Sequence, residues 1–336
     1  MVKQHLATLF ERDLASGEII SSGKLPTFRQ LATRYGSSPA TIKRLVDCYE
    51  QRGVLRTLRG SGTYVIGWRE GCHRVQRKQI GFVMLNDQLA RELDRLKEEY
   101  LKSGWIFTVY NASSDQQNPE LEKDFLVSVS QQEFEAIILE ASPLQPVNQE
   151  LFTQLRSQGI KIAHLSPYQK DMRREACFMP DFYAAGQVAA ARLALAGYRR
   201  IVFFSEGLHA PFVDLGRSGL KMMCDQLELG FEDVWDETPD YFARRLASEG
   251  GRPAVFCVNS FQGCELMEAR NRLRLDFGIV ALMESLLPAS YPISFFDYPY
   301  ERIVRDALAY AMDADQDPLT PVLSQYEPVL VNRGSF

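Results

Sequence analysis

Between residues 3 and 16, the apolar positions Leu6, Leu9, Phe10 and Leu14 recur at helical spacing, and Gly17 follows as a stop. After the turn at 23–26, residues 28–35 read as a second, short helix with Leu31 and Ala32 inward. Gly36, Ser37, Ser38 and Pro39 break it. Ser38 is placed to cap a third helix whose first position is Pro39, where a missing N–H costs nothing. That helix is predicted to run to about Arg52, with Ile42, Leu45, Val46 and Tyr49 on its inner face, and Gly53 ends it. Two strand-like runs, 54–58 and 63–66, flank a hairpin tip at Arg59-Gly60-Ser61-Gly62. Helix, helix–turn–helix and β-wing make a winged helix–turn–helix over 1–66.

Residues 67–78 show no periodicity and read as a short basic linker. Beyond them strands and helices alternate. Strands are predicted at 80–85, 106–110, 136–139 and 161–165, with helices at 88–103, 119–131 and 147–158 between them. The pattern restarts with a helix at 182–196, a strand at 201–204 and helices at 217–229 and 239–249. A strand at 254–258, a helix at 261–272 and a strand at 277–282 follow. Short, continuously apolar strands between amphipathic helices indicate parallel sheets covered on both faces. The fold class expected is therefore α/β: a small winged helix–turn–helix, then a two-lobed α/β domain over 79–336 with a cleft between the lobes. A hinged cleft is a place for a ligand.

Charge divides the chain at the same point. The net charge is −5, yet residues 1–78 hold 14 Lys+Arg against 6 Asp+Glu, leaving 24 against 37 for the rest. A basic head on an acidic body suggests a nucleic-acid-binding module joined to something else. The chain has 336 residues, 46% of them apolar and 24% charged, which is ordinary for globular proteins. No stretch approaches the roughly 18 apolar residues of a membrane span. Six scattered cysteines without a CxxC pair, and a start lacking an apolar segment, lead us to expect reduced thiols and a cytoplasmic location.

The first 65 or so residues resemble the DNA-binding domain of gluconate-repressor (GntR) type regulators. The resemblance is carried by Lys24-Leu25-Pro26-Thr27-Phe28-Arg29-Gln30-Leu31-Ala32, by Ser38-Pro39-Ala40-Thr41-Ile42-Lys43-Arg44, and by Gly53-Val54-Leu55 with Arg59-Gly60-Ser61-Gly62-Thr63-Tyr64-Val65. Phe28 stands where the family usually has Ser or Glu, and Pro39 where it often has a base-reading Arg. The residues suit the chemistry in their own right. Thr41, Lys43 and Arg44 fall near the start of the third helix, from which side chains reach base edges. Arg29 matches a backbone- or base-contacting position of the family. Arg59, freed by Gly60, suits a phosphate or minor-groove contact. With Ser38, these seven residues are the expected surface for double-stranded operator DNA.

Residues 79–336 resemble the sensor domain of the lactose/galactose-repressor (LacI/GalR) family, which is related to periplasmic sugar-binding proteins. The motifs are Asp181-Phe182-Tyr183-Ala184-Ala185-Gly186, Leu193-Ala194-Leu195-Ala196-Gly197-Tyr198-Arg199-Arg200-Ile201, Arg217-Ser218-Gly219-Leu220, and Pro253-Ala254-Val255-Phe256-Cys257-Val258-Asn259-Ser260. Val331-Asn332-Arg333-Gly334-Ser335 adds to them. The resemblance implies three crossings between lobes. The first lobe would be about 79–166 plus a helix at 300–313, and the second about 167–294 plus the C-terminal strands. It also implies that Arg217, Asn259 and Glu284 grip the hydroxyls of a sugar, as charged and amide groups can with paired hydrogen bonds. Ser260 and Glu284 each replace a family Asp. From the first lobe, Asn86 and Asp87, Ser142 and Tyr168 follow strands, where an α/β cleft places ligand groups.

No P-loop, HExxH motif or nucleophile elbow is present, and Pro318 and Ser324 spoil a calcium loop starting at Asp313. No enzyme activity, metal or cofactor is expected. The sequence therefore reads as a DNA-binding transcriptional regulator, a repressor controlled by a small molecule such as a sugar and acting as a homodimer away from membranes. The helix at 88–103 is a candidate for part of the dimer contact. Two alternatives stay open. One is a sugar-binding protein or enzyme whose basic head binds another polyanion. The other is a DNA-binding regulator that has lost its small-molecule response.

Overall fold

A computed structural model describes residues 2–16, 18–19, 24–51, 54–58, 62–65, 78–84, 87–111, 118–132, 134–142, 147–249, 251–285 and 291–336. The chain forms two compact units, Met1–Arg77 and Lys78–Phe336.

In the first unit, helices α1 (Val2–Ala15), α2 (Phe28–Arg34) and α3 (Pro39–Gln51) precede a hairpin of β1 (Leu55–Leu58) and β2 (Gly62–Val65). One core joins them: Phe10, Leu14, Leu31, Ile42 and Val46 are fully buried, as helical spacing predicts. Thr27 starts α2 through a capping box, accepting from the Gln30 N–H while the Gln30 side chain accepts from the Thr27 N–H. Buried Asp13 fastens α1 to α2, accepting from Arg34 Nε at 2.8 Å and Tyr35 Oη at 3.1 Å. Burial alone would lift its carboxyl, but the hydrogen bonds from Arg34, Tyr35 and Arg12 outweigh that and hold it below the usual range. The hairpin is tied in by the Leu25 N–H, which donates to the Thr63 carbonyl at 2.8 Å.

The second unit has two six-stranded sheets. The first runs β13 (Val322–Tyr326), β7 (Ala176–Pro180), β6 (Lys161–His164), β5 (Ala136–Leu139), β3 (Lys78–Met84), β4 (Trp105–Asn111), all parallel. The second runs β14 (Val329–Val331), β12 (Ser294–Asp297), β11 (Gly278–Met283), β10 (Ala254–Asn259), β8 (Arg200–Ser205), β9 (Gly230–Trp235), with β14 alone antiparallel. Helices α4 (Asp87–Leu101), α5 (Pro119–Ser130) and α6 (Gln149–Ser157) belong to the first lobe, and α8 (Pro211–Gln226), α9 (Pro239–Glu249) and α10 (Ser260–Leu273) to the second. The chain crosses between lobes through α7 (Phe182–Leu195), again into α11 (Tyr300–Met312), and last between β13 and β14.

Three crossings agree with the expectation, but the division of the chain does not. Strand β7 extends the first sheet past residue 166, and the C-terminal strands are shared, β13 going to the first sheet and β14 to the second. The signal is weak here because β6 and β7 are joined by a polar loop without a helix, so the alternation that marks the other strands is missing. Helix α8 starts six residues before the expected Arg217, at Pro211. Asp313, Asp315 and Asp317 lie in turns after α11, and Asp317 accepts from the Leu319 N–H.

His164, at the end of β6, lies wholly buried between Phe152 and Tyr168. Its Nε2 is 3.7 Å from Glu175, too far for a hydrogen bond, and burial holds its pKa below 6.5. Well above pH 6.5 the imidazole is neutral whether the chain is folded or not. Below it the unfolded chain binds a proton that the folded one resists, so stability falls with pH. We expect Tm to drop between about pH 7.5 and about pH 5.5, and His164→Phe to remove part of that drop. An identical pH slope in the variant would exclude His164 as its source.

Candidate functional site

On the first unit, packing decides which side chains face outward. With Ile42, Val46 and Tyr49 held in the core, Lys43 and Arg44 on α3 are exposed, as is Arg29 on α2. None of the three forms an ion pair among the described residues, whereas Arg34 is spent on Asp13 and Glu18. Ser38 caps α3: its Oγ accepts from the Thr41 N–H at 3.1 Å and lies 2.8 Å from Thr41 Oγ1. The Thr41 hydroxyl is thus partly engaged within its own helix start. Arg59 and Gly60 lie outside the described residues.

On the second unit, a cavity of about 390 Å³ opens between the lobes. The carboxyl ends of the first sheet's strands contribute Val147, Gln149, Tyr168, Gln169 and Lys170, and the segment from β8 into α8 contributes His209, Ala210, Pro211 and Asp214. This is where parallel α/β sheets put ligands, because strand ends and helix starts leave polar backbone free there. His209 stacks on Trp235 with ring centres 4.6 Å apart.

Of the residues expected to hold a ligand, Tyr168 lies on this wall, and only 2% of it is exposed. Its ring packs against Phe152 and His164, and its hydroxyl donates to Glu175 at 3.1 Å, so stacking on a sugar face is precluded. Burial, with Glu175 beside it, pushes that hydroxyl's pKa up. Arg217 does not line the cavity. Mid-helix on α8, it lies over β9, where its guanidinium pairs with both oxygens of Asp233, Nε at 2.6 Å. Asn259 is the N-cap of α10, accepting from the Gln262 N–H at 3.0 Å. Glu284 follows β11 and accepts from Arg333 at 3.1 Å and, across the lobes, from Gln88 at 3.2 Å. Ser142 is buried beyond β5, its N–H donating to Glu122, which Asn148 also holds. Burial raises the Glu122 pKa against these two hydrogen bonds. Asp87 begins α4, and Asn86 lies outside the described residues, as does the Asp87 side chain.

Ser260 clamps Ser285, accepting from its N–H at 2.7 Å, so the residue that replaces the family Asp fixes a loop. Gln149, Lys170, His209 and Asp214 are absent from the sequence reading. Their one signal is that each follows a strand of a parallel sheet, which becomes usable only once strand order is known.

No protein-family model matches the chain. The HTH-type transcriptional regulator YhcF of Bacillus subtilis, itself uncharacterized, is 31% identical over 100 residues, which make up 28% of this chain and 79% of YhcF. The chain belongs to the HTH-type transcriptional regulators. The arabinose metabolism transcriptional repressor of Geobacillus stearothermophilus is 24% identical over 195 residues. That match spans 57% of this regulator and about half, 52%, of the repressor. Among solved structures, the Caulobacter myo-inositol binding protein has a TM-score of 0.63 at 14% identity, over 80% of this chain and 96% of its own. The Cra transcriptional dual regulator of Pseudomonas putida, in complex with fructose 1-phosphate, has 0.61 at 14% identity, over 76% and 99%. At such identities these two show the fold: the regulator has the two-sheet α/β architecture of LacI-family and periplasmic binding proteins. Among its described residues no helix is long and apolar enough to cross a membrane.

Because Arg217 is half-exposed and faces Asp233, Arg217→Ala is expected to cost less than about 1 kcal/mol of stability. The cavity and its occupant should be untouched. A binding titration in which this variant loses a ligand that the wild type holds would place Arg217 back in the site.

Proposed function

We propose that this chain is a DNA-binding transcriptional repressor whose operator affinity is set by a small molecule, a sugar or related polyol, held between the two lobes. The reading rests on one combination: a helical unit with Arg29, Lys43 and Arg44 exposed and unpaired, in one chain with a two-lobed unit that has an open cavity between its lobes. In this reading residues 1–66 are a GntR-type winged helix–turn–helix, with Ser38, Thr41, Arg59 and Gly60 completing the DNA surface. Residues 67–78 are a linker, and 79–336 are sensor and dimerisation domain. The protein works in the cytoplasm, without catalysis or a cofactor. Tyr168 helps to wall the pocket, while Asn259 and Glu284 support the cleft from its second lobe.

A single winged helix reads only a few base pairs, so we place two copies on an inverted repeat. The outward side of α4 carries the pairs Glu92–Arg95 and Asp94–Lys97 and joins α11 through Glu99–Arg305. Its share of a dimer contact is therefore polar rim. A ligand that favours one lobe angle then competes with DNA, which favours one spacing of the two heads. The coupling is reciprocal, typically about 1–3 kcal/mol, or roughly 5–150-fold in affinity. The test selects genomic fragments on the full chain and titrates the best with sugars by fluorescence anisotropy. Release by one compound, with a dimer in sedimentation, is the expected result. Failure to select any duplex DNA would sink the proposal.

A further inference from the structure

The cavity between the lobes is two-sided in charge. Its first-lobe wall brings Lys170 with the amides of Gln149 and Gln169, and its second-lobe wall brings Asp214 with His209. Lys170 forms no ion pair among the described residues, while the neighbouring Asp171 is fully used by Arg173, with bonds of 3.0 and 2.8 Å. The stack on Trp235 covers one face of His209, and on its edge Nε2 lies 3.9 Å from the Asp236 carboxylate, beyond hydrogen-bond reach. Asp214 has two acceptor oxygens that suit adjacent hydroxyls. The groups expected to clasp a neutral sugar are meanwhile taken by the protein itself: Arg217 by Asp233, Asn259 by the start of α10, and Glu284 by Gln88 and Arg333. Glycine occupies position 216, one residue before Arg217, where a Cβ would lie 2.9 Å from the Leu282 side chain.

We infer that the ligand of this cavity is an anionic polyol, a small sugar derivative bearing a carboxylate or phosphate. Its anion lies on Lys170 and its hydroxyls on Asp214 and His209. Asp214 on the opposite wall is the one carboxylate among the lining residues, so a neutral sugar that occupies Asp214 with its hydroxyls would leave the Lys170 ammonium to solvent, and a simple anion would leave Asp214 facing nothing that donates. A ligand with both ends joins the two walls, so it draws the lobes together as it binds. The cavity volume lies within the range of small-molecule sites, about 300–1,000 Å³. This assignment rests on the effector reading above and adds the charge of the effector.

The experiment is a set of thermal melts and titrations on the full chain. The probes are C5 and C6 sugars, their aldonates, their phosphate esters, and inorganic phosphate against sodium chloride at equal ionic strength. We expect aldonates or phosphate esters to raise Tm while their parent sugars do not, and the arm that responds tells carboxylate from phosphate. Lys170→Gln, an exposed change that leaves the core alone, should weaken that probe at least about tenfold, the loss of a charge-assisted hydrogen bond. Asp214→Asn should weaken it too, without lowering the binding of inorganic phosphate. If parent sugars stabilise the chain as strongly as their anions, and Lys170→Gln binds them like the wild type, the anion assignment is overturned and the effector reading survives. If no anionic probe raises Tm, the assignment is likewise overturned, and the effector reading then stands or falls on operator release by any other compound.

Discussion

Gly219→Ala is expected to destabilise the two-lobed unit by about 3 kcal/mol or more, the upper end of what overpacking does. A Cβ at that position would stand 1.9 Å from the Tyr183 carbonyl oxygen and 2.8 Å from its carbon. The obstacle is backbone, so no side-chain rotation relieves it, and α8 must move off α7. Gly186 meets the same limit from the other helix, where a Cβ would lie 2.0 Å from the Gly216 carbonyl oxygen. Helix α7 leads from β7 of the first sheet to β8 of the second, so prying the pair apart disturbs a lobe crossing as well as a core. Ser218, exposed on the same turn, supplies the control: Ser218→Ala should stay within about 0.5 kcal/mol. Urea unfolding followed by far-UV circular dichroism measures both. A Gly219→Ala midpoint equal to that of Ser218→Ala would mean that the helices are not in backbone contact.

The first unit was largely legible because its signals are local. Thr27 with Gln30 and Ser38 with Pro39 mark helix starts by their own chemistry, without help from distant residues. Strands such as 136–139 and 254–258 were legible because full burial writes itself as an unbroken apolar run. Edge strand β9 was not, since Glu232 and Asp233 face solvent and arginine there, and β7 was hidden behind a charged loop. The cavity was the least legible feature. Tyr168, read as a stacking platform, is committed to the core by a contact with Glu175 seven residues on. Arg217 was placed by a motif one residue out of step with the buried face of α8, where Gly216 and Gly219 pack and Arg217 turns toward β9. Helical phase turns such a one-residue offset into about 100° of rotation, enough to move a side chain from a cleft to an edge.

Replacing Lys43 and Arg44 together by alanine should lower affinity for the selected operator by about a hundredfold or more. Each side chain that reads a base edge is worth about 1–3 kcal/mol. Each phosphate contact removed lowers the steepness of the salt dependence by about one. Both act because the opposite face of α3 is immobilised: Ile42 and Val46 are wholly buried, and Tyr49 donates to Glu11 at 2.6 Å. The two cations are therefore carried on a rigid base and need little ordering when they meet DNA. Thr41→Ala should cost less binding and some stability, because its hydroxyl meets Ser38 at the helix start. Arg34→Ala separates fold from contact. It strips the Asp13 carboxylate of its 2.8 Å partner, so it should lower the Tm of the first unit and affect DNA only through folding. The double variant should melt like the wild type, since both side chains are exposed and unpaired. An operator titration within twofold of wild type, with an unchanged salt slope, would move the DNA surface off α3.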